Sequence, residues 1–199
     1  MLNYTLSIRD LVHGTVRFTE QEAMLIEHPF FQRLRQIRQN DGAFVVYPSM
    51  NTSRFEHALG VCHVAGLMAE SLVESDKWSA YLEVLNKETG LNSQQDFVKV
   101  CRFYALLHDI GHFPLSHLFE FAVEEWAGEN LMKVVEEWTG MRGFKKLHEA
   151  FGAKVSRKVM NDIGLETHFK DVLDRLMCEK VIKNHSLSLI KAVIDSDID

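Results

Sequence analysis

The chain of 199 residues carries 22 lysines and arginines against 28 aspartates and glutamates, a net charge of −6 with neutral histidines. Its hydrophobic fraction of 46% and charged fraction of 25% are those of one globular domain, and the acidic balance gives no support to nucleic-acid binding. No stretch approaches the roughly 20 apolar residues that cross a bilayer, no secretion signal opens the chain, and its 3 cysteines lack CxxC spacing. We therefore expect a soluble, cytoplasmic, single-domain protein over residues 1–199, with reduced thiols and no membrane partner.

The apolar residues repeat at helical spacings of three and four through most of the chain, which predicts an all-α bundle. One short segment, residues 43–48, is predicted to be extended, because its valines and tyrosine favour strands and Pro48 stops a helix. The sequence shows neither an internal repeat nor a domain boundary. The predicted helices span residues 20–27, 29–39, 54–75, 76–96 with an interruption at Gly90, 96–109, 116–138, 146–161, 166–183 and 186–195.

The histidines are densest in the segment LLHDIGHFPLSH, residues 106–117. His108 and Asp109 end an apolar helix, and His112 and His117 return to the same neighbourhood after a turn. A single buried histidine is more often a hydrogen-bonded core residue than a ligand. One aspartate and three histidines within ten residues, however, are costly to bury without a partner. A bound divalent cation would be such a partner, so the segment predicts a metal site.

Two further pairs of residues fit this site. His57 lies on the apolar stripe of its helix, and Arg54 lies one turn earlier on nearly the same face, so metal and arginine could share the oxygens of a phosphate. Alternatively, Arg54 pairs with Glu56 or another surface acid. The adjacent pair of His148 and Glu149 either supplies general acid and base groups or belongs to the surface.

Basic residues also cluster locally at Arg33, Arg35 and Arg38, followed later by Arg54. Such a cluster can bind phosphate although the chain as a whole is acidic. The charge pattern therefore does not exclude an anionic ligand.

Three motifs, RFEHALG, LLHDIGHFPLSH and KLHEAFG, follow in this order after the stretch IRDLVHG…LIEHPFFQRLRQIRQNDGAFVVYPSMN. In these motifs the sequence resembles the HD-domain phosphohydrolases, above all the branch that contains the deoxynucleoside triphosphate triphosphohydrolases. The likeness covers nearly the whole chain and is weakest over residues 76–96 and 122–145. It implies an all-α bundle with one divalent metal ion, commonly iron, manganese, magnesium or zinc. It also implies hydrolysis of a dNTP to the deoxynucleoside and triphosphate, by attack at the α-phosphorus.

The resemblance implies that His57, His108 and Asp109 bind the metal ion, together with an aspartate from a downstream helix. In the family that aspartate lies in a stretch of the form DxD(K/R)xDY, whereas this chain ends in VIDSDID. The best alignment makes Asp199 the first aspartate of the stretch. Either the chain stops before the fourth ligand, or Asp197 or Asp199 replaces it.

The resemblance also implies the catalytic groups. His112 would be the proton donor or would assist the nucleophile, and His117 would contact the phosphates. Glu149, aided by His148, would orient His112, and Arg54 would bind the α-phosphate.

Substrate and activator contacts follow from the same likeness. Gln39 would lie at the 3′-hydroxyl of the sugar, whereas Asn40 replaces a leucine that usually packs against the sugar, which leaves selection between deoxy- and ribonucleotides open. Members of this branch often form tetramers activated by a guanine nucleotide, and Glu27, Gln32 and Arg35 match that allosteric site. A helix with solvated charges is the alternative there.

We rank a dNTP triphosphohydrolase first, a phosphohydrolase of another nucleotide (monophosphate, cyclic or signalling) second, and a non-enzymatic nucleotide sensor third.

Overall fold

The computed structural model describes residues 2–140, 144, 146–178 and 185–194. Helices dominate this part of the chain, so the predicted all-α class is confirmed. None of the described helices is both long enough and apolar enough to cross a membrane. The helices are α1 (Glu20–Glu27), α2 (Pro29–Gln32), α3 (Arg54–Val73), α4 (Trp78–Thr89), α5 (Gln94–Leu107), α6 (Ser116–Ala127), α7 (Leu131–Thr139), α8 (Leu147–Asp162), α9 (Thr167–Cys178) and α10 (His185–Ile194), with 3₁₀ helices at Arg33–Gln36, Ala43–Val45 and Gly128–Asn130.

A β-hairpin that the sequence analysis did not predict precedes α1. Its strands β1 (Tyr4–Asp10) and β2 (Gly14–Thr19) are antiparallel, with Ile8 opposite Val16. The turn is closed by the Asp10 carboxylate, which accepts hydrogen bonds from the backbone N–H groups of Val12 and His13. Every second residue of β1 is half-buried against the helices. This period of two is typical of a strand.

The extended conformation predicted for residues 43–48 is wrong. A 3₁₀ helix, Ala43–Val45, occupies this segment, and the Ala43 carbonyl accepts hydrogen bonds from the N–H groups of Val46 and Tyr47 at 3.0 and 2.8 Å. The side chains of Val45, Val46 and Tyr47 are exposed. Strand propensity reflects packing on a sheet, and no neighbouring strand pairs with this segment among the described residues.

The centre of the molecule is the pair of helices α3 and α5. The α3 face includes Ala58, Cys62, Ala65 and Ala69, small buried residues that allow α5 to pack closely. The α5 helix is buried over most of its length. Residues in the first turn of α3 contact residues that directly follow α5. The candidate site lies at this contact.

Candidate active site and metal centre

Three candidate metal ligands converge where α3 begins and α5 ends. The ligand atoms of His57, His108 and Asp109, the metal triad, all lie within 4.8 Å of one another. The buried Asp109 carboxylate reaches both imidazoles, with Oδ2 3.8 Å from His57 Nε2 and Oδ1 3.6 Å from His108 Nε2. His108 Nδ1 donates to the Ala105 carbonyl at 2.7 Å, so its Nε2 keeps a free lone pair. Two imidazoles and a carboxylate fit a divalent transition metal or zinc.

Gln39 contacts the metal triad from the loop before α3. Its side-chain nitrogen lies 3.1 Å from His57 Nδ1, and its backbone carbonyl accepts from Arg54 Nη2 at 3.5 Å. If the Gln39 amide were rotated by half a turn, its Oε1 would accept a hydrogen bond from Nδ1–H of His57. Nε2 of His57 would then be the atom that binds the metal ion. Gln39 therefore lies beside a candidate ligand as well as along the cavity in which a sugar is expected.

Arg54 is buried in the first turn of α3 and forms an ion pair with Asp109. Glu56 caps the same helix by accepting the Ser53 N–H, so the alternative pairing of Arg54 with Glu56 is wrong. Burial raises the pKa of Asp109, but His108, a hydrogen bond from His112 and the Arg54 charge together hold it well below its usual range. The carboxylate is therefore ionised and available to a cation.

A second group of imidazoles, the histidine cluster of His112, His117 and His148, lies beside the metal triad. The rings of His112 and His148 stack at 4.0 Å between centroids, and the His117 ring is 5.0 Å from that of His112. Glu120, a buried residue of α6, connects His117 with His148. Its Oε2 accepts from His148 Nδ1 at 2.7 Å and from His117 Nδ1 at 3.2 Å. His112 Nε2 lies 3.3 Å from Asp109 Oδ1, which joins the cluster to the triad.

The histidine cluster is poorly arranged for a second metal ion, although its nitrogen atoms also lie within 4.8 Å of one another. The lone pairs of an imidazole lie in the ring plane, and the rings of His112 and His148 are stacked with only 17° between their planes. Such planes do not meet at one nearby ion. Burial lowers the pKa of His112 to about 4, against the opposing effect of Asp109. Imidazoles in such an arrangement can donate hydrogen bonds and exchange protons.

One cavity of about 800 Å³ is lined by every described residue that is predicted to be catalytic, substrate-binding or metal-binding. The predicted residues in its wall are Gln39, Asn40, Arg54, His57, His108, Asp109, His112, His117, His148 and Glu149. Two lysines, Lys146 and Lys191, also line it. The cavity is large enough for a drug-sized ligand. The sequence therefore located the residues of the cavity, while their chemical roles stay predictions.

The predicted allosteric residues lie elsewhere. Arg35 donates from Nε to Gln32 Oε1 at 2.8 Å and stacks over the Phe55 ring at 3.6 Å, and Glu27 is exposed at the end of α1. The Gln32 side-chain nitrogen donates to the Ile26 carbonyl at 2.6 Å. These polar groups thus bond locally, outside the lining of the cavity.

Most of the locally clustered arginines lie outside the cavity wall. Arg35 stacks on one aromatic ring, Arg38 stacks over Phe44 at 4.0 Å, and Arg33 donates to backbone carbonyls. Only Arg54 of the four lines the cavity. Spacing along the chain does not show which way each side chain points, so a local cluster of basic residues does not by itself identify the residues of the cavity.

Three residues that the sequence analysis did not single out support the site. Besides Glu120, Ser116 Oγ accepts from Arg54 Nε at 2.8 Å and donates to the Arg38 carbonyl at 2.9 Å. Asp41 accepts the N–H of His117 at 3.1 Å. The spacing of three residues from His117 to Glu120 on one helix face could have indicated the first contact. Ser116 and Asp41 join distant parts of the chain, and their spacing in the sequence gives no comparable indication.

The proposed fourth metal ligand, Asp197 or Asp199, lies outside the described residues. The last described helix, α10, contributes Lys191 to the wall of the main cavity. Its final residues Val193 and Ile194 line a smaller neighbouring cavity that also includes His57.

The sequence family model for the HD domain matches residues 54–196 of the chain. The chain belongs to the HD domain family. It is 38% identical over 113 residues to an uncharacterized protein of Methanocaldococcus jannaschii, a match that covers 57% of this chain and 20% of that protein. It is 34% identical over 113 residues to the deoxynucleoside triphosphate triphosphohydrolase SAMHD1 of Homo sapiens and of Bos taurus, which covers 57% of this chain and 16% and 17% of those proteins. The chain thus spans a fifth or less of the length of these relatives. The family resemblance noted in the motifs is confirmed.

Proposed function

We propose that the protein is a metal-dependent phosphohydrolase that cleaves a dNTP into the deoxynucleoside and triphosphate. The observation that carries this proposal is the position of Asp109 between two groups, the metal triad and the histidine cluster, in one cavity. Metal ligands next to proton-transfer groups and a buried arginine are what phosphate-ester hydrolysis requires. The dNTP substrate is supported by the relatives whose names carry that activity.

His57, His108 and Asp109 would hold one divalent ion, with iron, manganese, magnesium and zinc as candidates. When bound, such an ion supplies Lewis acidity toward a phosphate oxygen and lowers the pKa of a bound water.

The remaining steps belong to the side chains of the protein. Arg54 binds an oxygen of the α-phosphate. Glu120 accepts the Nδ1–H of His117 and of His148, and it would stabilise the imidazolium form of either ring. Such a ring carries a second proton on Nε2, which it would donate to the leaving 5′-oxygen, and the ring is left as a neutral imidazole. Because the pKa of His112 is lowered to about 4, this residue is neutral near pH 7 and fits a role beside Asp109 better than that of proton donor. Glu149 lines the cavity next to His148 and is proposed to help orient the cluster.

The direct test is product analysis with each of the four dNTPs and Mn²⁺ or Mg²⁺. We expect inorganic triphosphate from the wild-type protein and a loss of about a hundredfold or more in Asp109→Asn, because the metal triad loses its charge. His168→Ala, which removes an exposed histidine remote from the cavity, is the matched control and should retain activity. No triphosphate from any dNTP, with several metals and with dGTP or GTP as activator, would contradict the proposal.

A second candidate is hydrolysis of a different nucleotide. Asn40 and Asp41 line the cavity with an amide and a carboxylate, which can accept hydrogen bonds from a ribose 2′-hydroxyl or other hydroxyl groups. Orthophosphate or a linear nucleotide in place of triphosphate, or faster turnover of ribonucleotides, would favour this alternative.

An activator and self-association are proposed from the family resemblance alone. A guanine nucleotide would bind near Glu27, Gln32 and Arg35, and the protein would form a homo-oligomer. Turnover with and without dGTP, followed by light scattering under the same conditions, tests both points. An unchanged rate and a monomeric mass at every dGTP concentration would contradict them.

A further inference from the structure

Arg33 makes an unusual pair of contacts for a cation. It begins the 3₁₀ helix Arg33–Gln36 and is partly buried. Its Nη1 donates to the carbonyl of His112, and its Nη2 donates to the carbonyl of Ile110. Among the described residues no carboxylate forms a salt bridge with this guanidinium, which faces the Phe151 ring with 5.5 Å between Cζ and the ring centre. Burial lowers the pKa of Arg33, but arginine remains charged at neutral pH.

A charge taken partly out of water without a counter-charge is costly, so these contacts need a compensating effect. The two carbonyls belong to buried residues, and a buried acceptor that loses its hydrogen-bond partner destabilises the fold. The planar guanidinium group has N–H donors in a fixed geometry, so it bonds to both carbonyl oxygens at once and fixes the distance between them. A lysine ammonium at this position has no such fixed geometry.

The two carbonyls lie on either side of Gly111 in the turn formed by residues 109–112. The same turn packs against α8, where a Cβ atom on Gly111 would lie 2.0 Å from the His148 carbonyl oxygen. The turn therefore contacts both the α8 backbone and the Arg33 side chain. It carries Asp109 of the metal triad and His112 of the histidine cluster.

We infer that Arg33 is a positioning residue, which fixes the 109–112 turn and thereby sets the metal affinity of the site. This inference rests on the proposed metal-dependent function. Arg33 contacts none of the side chains of the metal triad and is not itself one of the residues that line the cavity, so its effect is transmitted through the backbone of the turn. Residues that orient metal ligands indirectly typically change metal affinity by about 10- to 100-fold when they are replaced.

The test is the affinity for Mn²⁺ alone, measured from the electron paramagnetic resonance signal of the free ion. Arg33→Met keeps the apolar stem and removes both donors, and we expect the Kd to rise by about tenfold or more. Arg33→Lys keeps the positive charge but loses the fixed pair of N–H donors. Its Kd should lie between those of the wild type and Arg33→Met. Arg9→Met is the matched control, because Arg9 is an exposed arginine of β1 that lines neither cavity, and its Kd should stay at the wild-type value.

Circular dichroism at the assay temperature shows whether each variant is folded. Wild-type Mn²⁺ affinity in folded Arg33→Met would overturn the inference, because a purely structural role lowers stability without changing affinity. If Arg33→Met does not fold, Arg33→Lys decides, and wild-type affinity in that variant would overturn it. A wild-type protein that binds Mn²⁺ but releases no triphosphate contradicts the proposed reaction while the Kd values still decide the role of Arg33.

Discussion

Glu120 shows how one buried carboxylate organises several residues of the site. It accepts hydrogen bonds from the ring nitrogens of His117 and His148 and from the backbone N–H of His148. Burial alone would raise the pKa of Glu120, but these contacts outweigh it and lower the pKa to about 2 from its ordinary 4.5. The orientation of two imidazoles therefore depends on an ionised residue that is neither a metal ligand nor a histidine.

The lowered pKa of Glu120 predicts a pH-dependent stability. A carboxylate whose pKa falls on folding stabilises the native state above about pH 4.5, and this contribution is lost as the pH falls toward about 2. We expect Glu120→Gln to lower the free energy of unfolding at about pH 6 by up to about 3 kcal/mol, and by less at about pH 3. Urea unfolding at both pH values measures this, with the exposed Glu124→Gln on the same helix as control. An equal loss at both pH values would rule out ionisation as the cause.

At the scale of residues, the sequence predicted which side chains line the cavity but not how they bond. His57 and His108 were identified because each lies on an apolar helical face, where an imidazole needs a partner. The contact of Glu120 with His148 joins residues 28 positions apart, and it depends on how α6 and α8 pack. Arg33 was assigned to a basic cluster because the sequence does not show that its side chain turns inward.

At the scale of elements, the close contact between the 109–112 turn and α8 brings His148 to the site. A Cβ atom on Gly111 would lie 2.0 Å from the His148 carbonyl oxygen and 2.5 Å from the Gly152 nitrogen, both backbone atoms. The reverse substitution is different, because a Cβ atom on Gly152 would meet Gly111 only at 3.4 Å, an ordinary contact distance. The contact therefore requires glycine on one side only.

This asymmetry predicts opposite outcomes for two conservative changes. Gly111→Ala should destabilise the protein by about 2 kcal/mol or more, because backbone atoms of α8 must move. Gly152→Ala should be neutral or slightly stabilising, because alanine is the better helix former. Thermal and urea unfolding of the two variants measure the difference. Similar losses in both would show that the turn and α8 are not in the contact described.

Helix boundaries were predicted best where a local capping pattern exists. Thr19 with Glu22 and Ser53 with Glu56 both form complete capping boxes, and the helices α1 and α3 begin at the next residue in each case. The hairpin and the 3₁₀ helix Ala43–Val45 were missed for a shared reason. Whether a β-branched stretch becomes a strand depends on a partner strand, and that partner is a matter of tertiary structure.

At the scale of the whole molecule, a buried ion pair joins the N-terminal hairpin and α1 to the central helices. Arg102 of α5 donates to the Glu22 carboxylate at 2.7 and 3.0 Å and to the Arg17 carbonyl at 2.8 Å. Glu22 is completely buried. The pair therefore spans β2, α1 and α5, and it specifies how these elements fit together.

Replacing only one partner of this ion pair should destabilise the protein more than replacing both partners. We expect Arg102→Met to lower the free energy of unfolding by about 3–5 kcal/mol, because it leaves the Glu22 charge buried without a partner. The double variant Glu22→Gln with Arg102→Met should lose less than the single variant. Urea unfolding of the two proteins is the measurement. A double variant whose loss equals or exceeds that of Arg102→Met would show that the buried charge is not the cause.

The fold class could be predicted from the helical period of the apolar residues, whereas the position of the site required the packing of α3 against α5. That packing brings Arg54 and His57, at the start of one helix, to the residues that follow the other. No periodicity in the sequence specifies which helix ends meet. The order of the motifs supplied that information only through the family resemblance.

The ion pair between Arg54 and Asp109 has a thermodynamic consequence for the proposed reaction. A cation bound to Asp109 would compete with Arg54 for the carboxylate, and the Arg54 guanidinium would then be available to an anion. Linkage then requires the reverse, so that an anion on Arg54 increases the affinity of Asp109 for the cation by the same factor. Metal and phosphate would therefore bind cooperatively, since either ligand alone leaves one buried charge uncompensated and both together leave none.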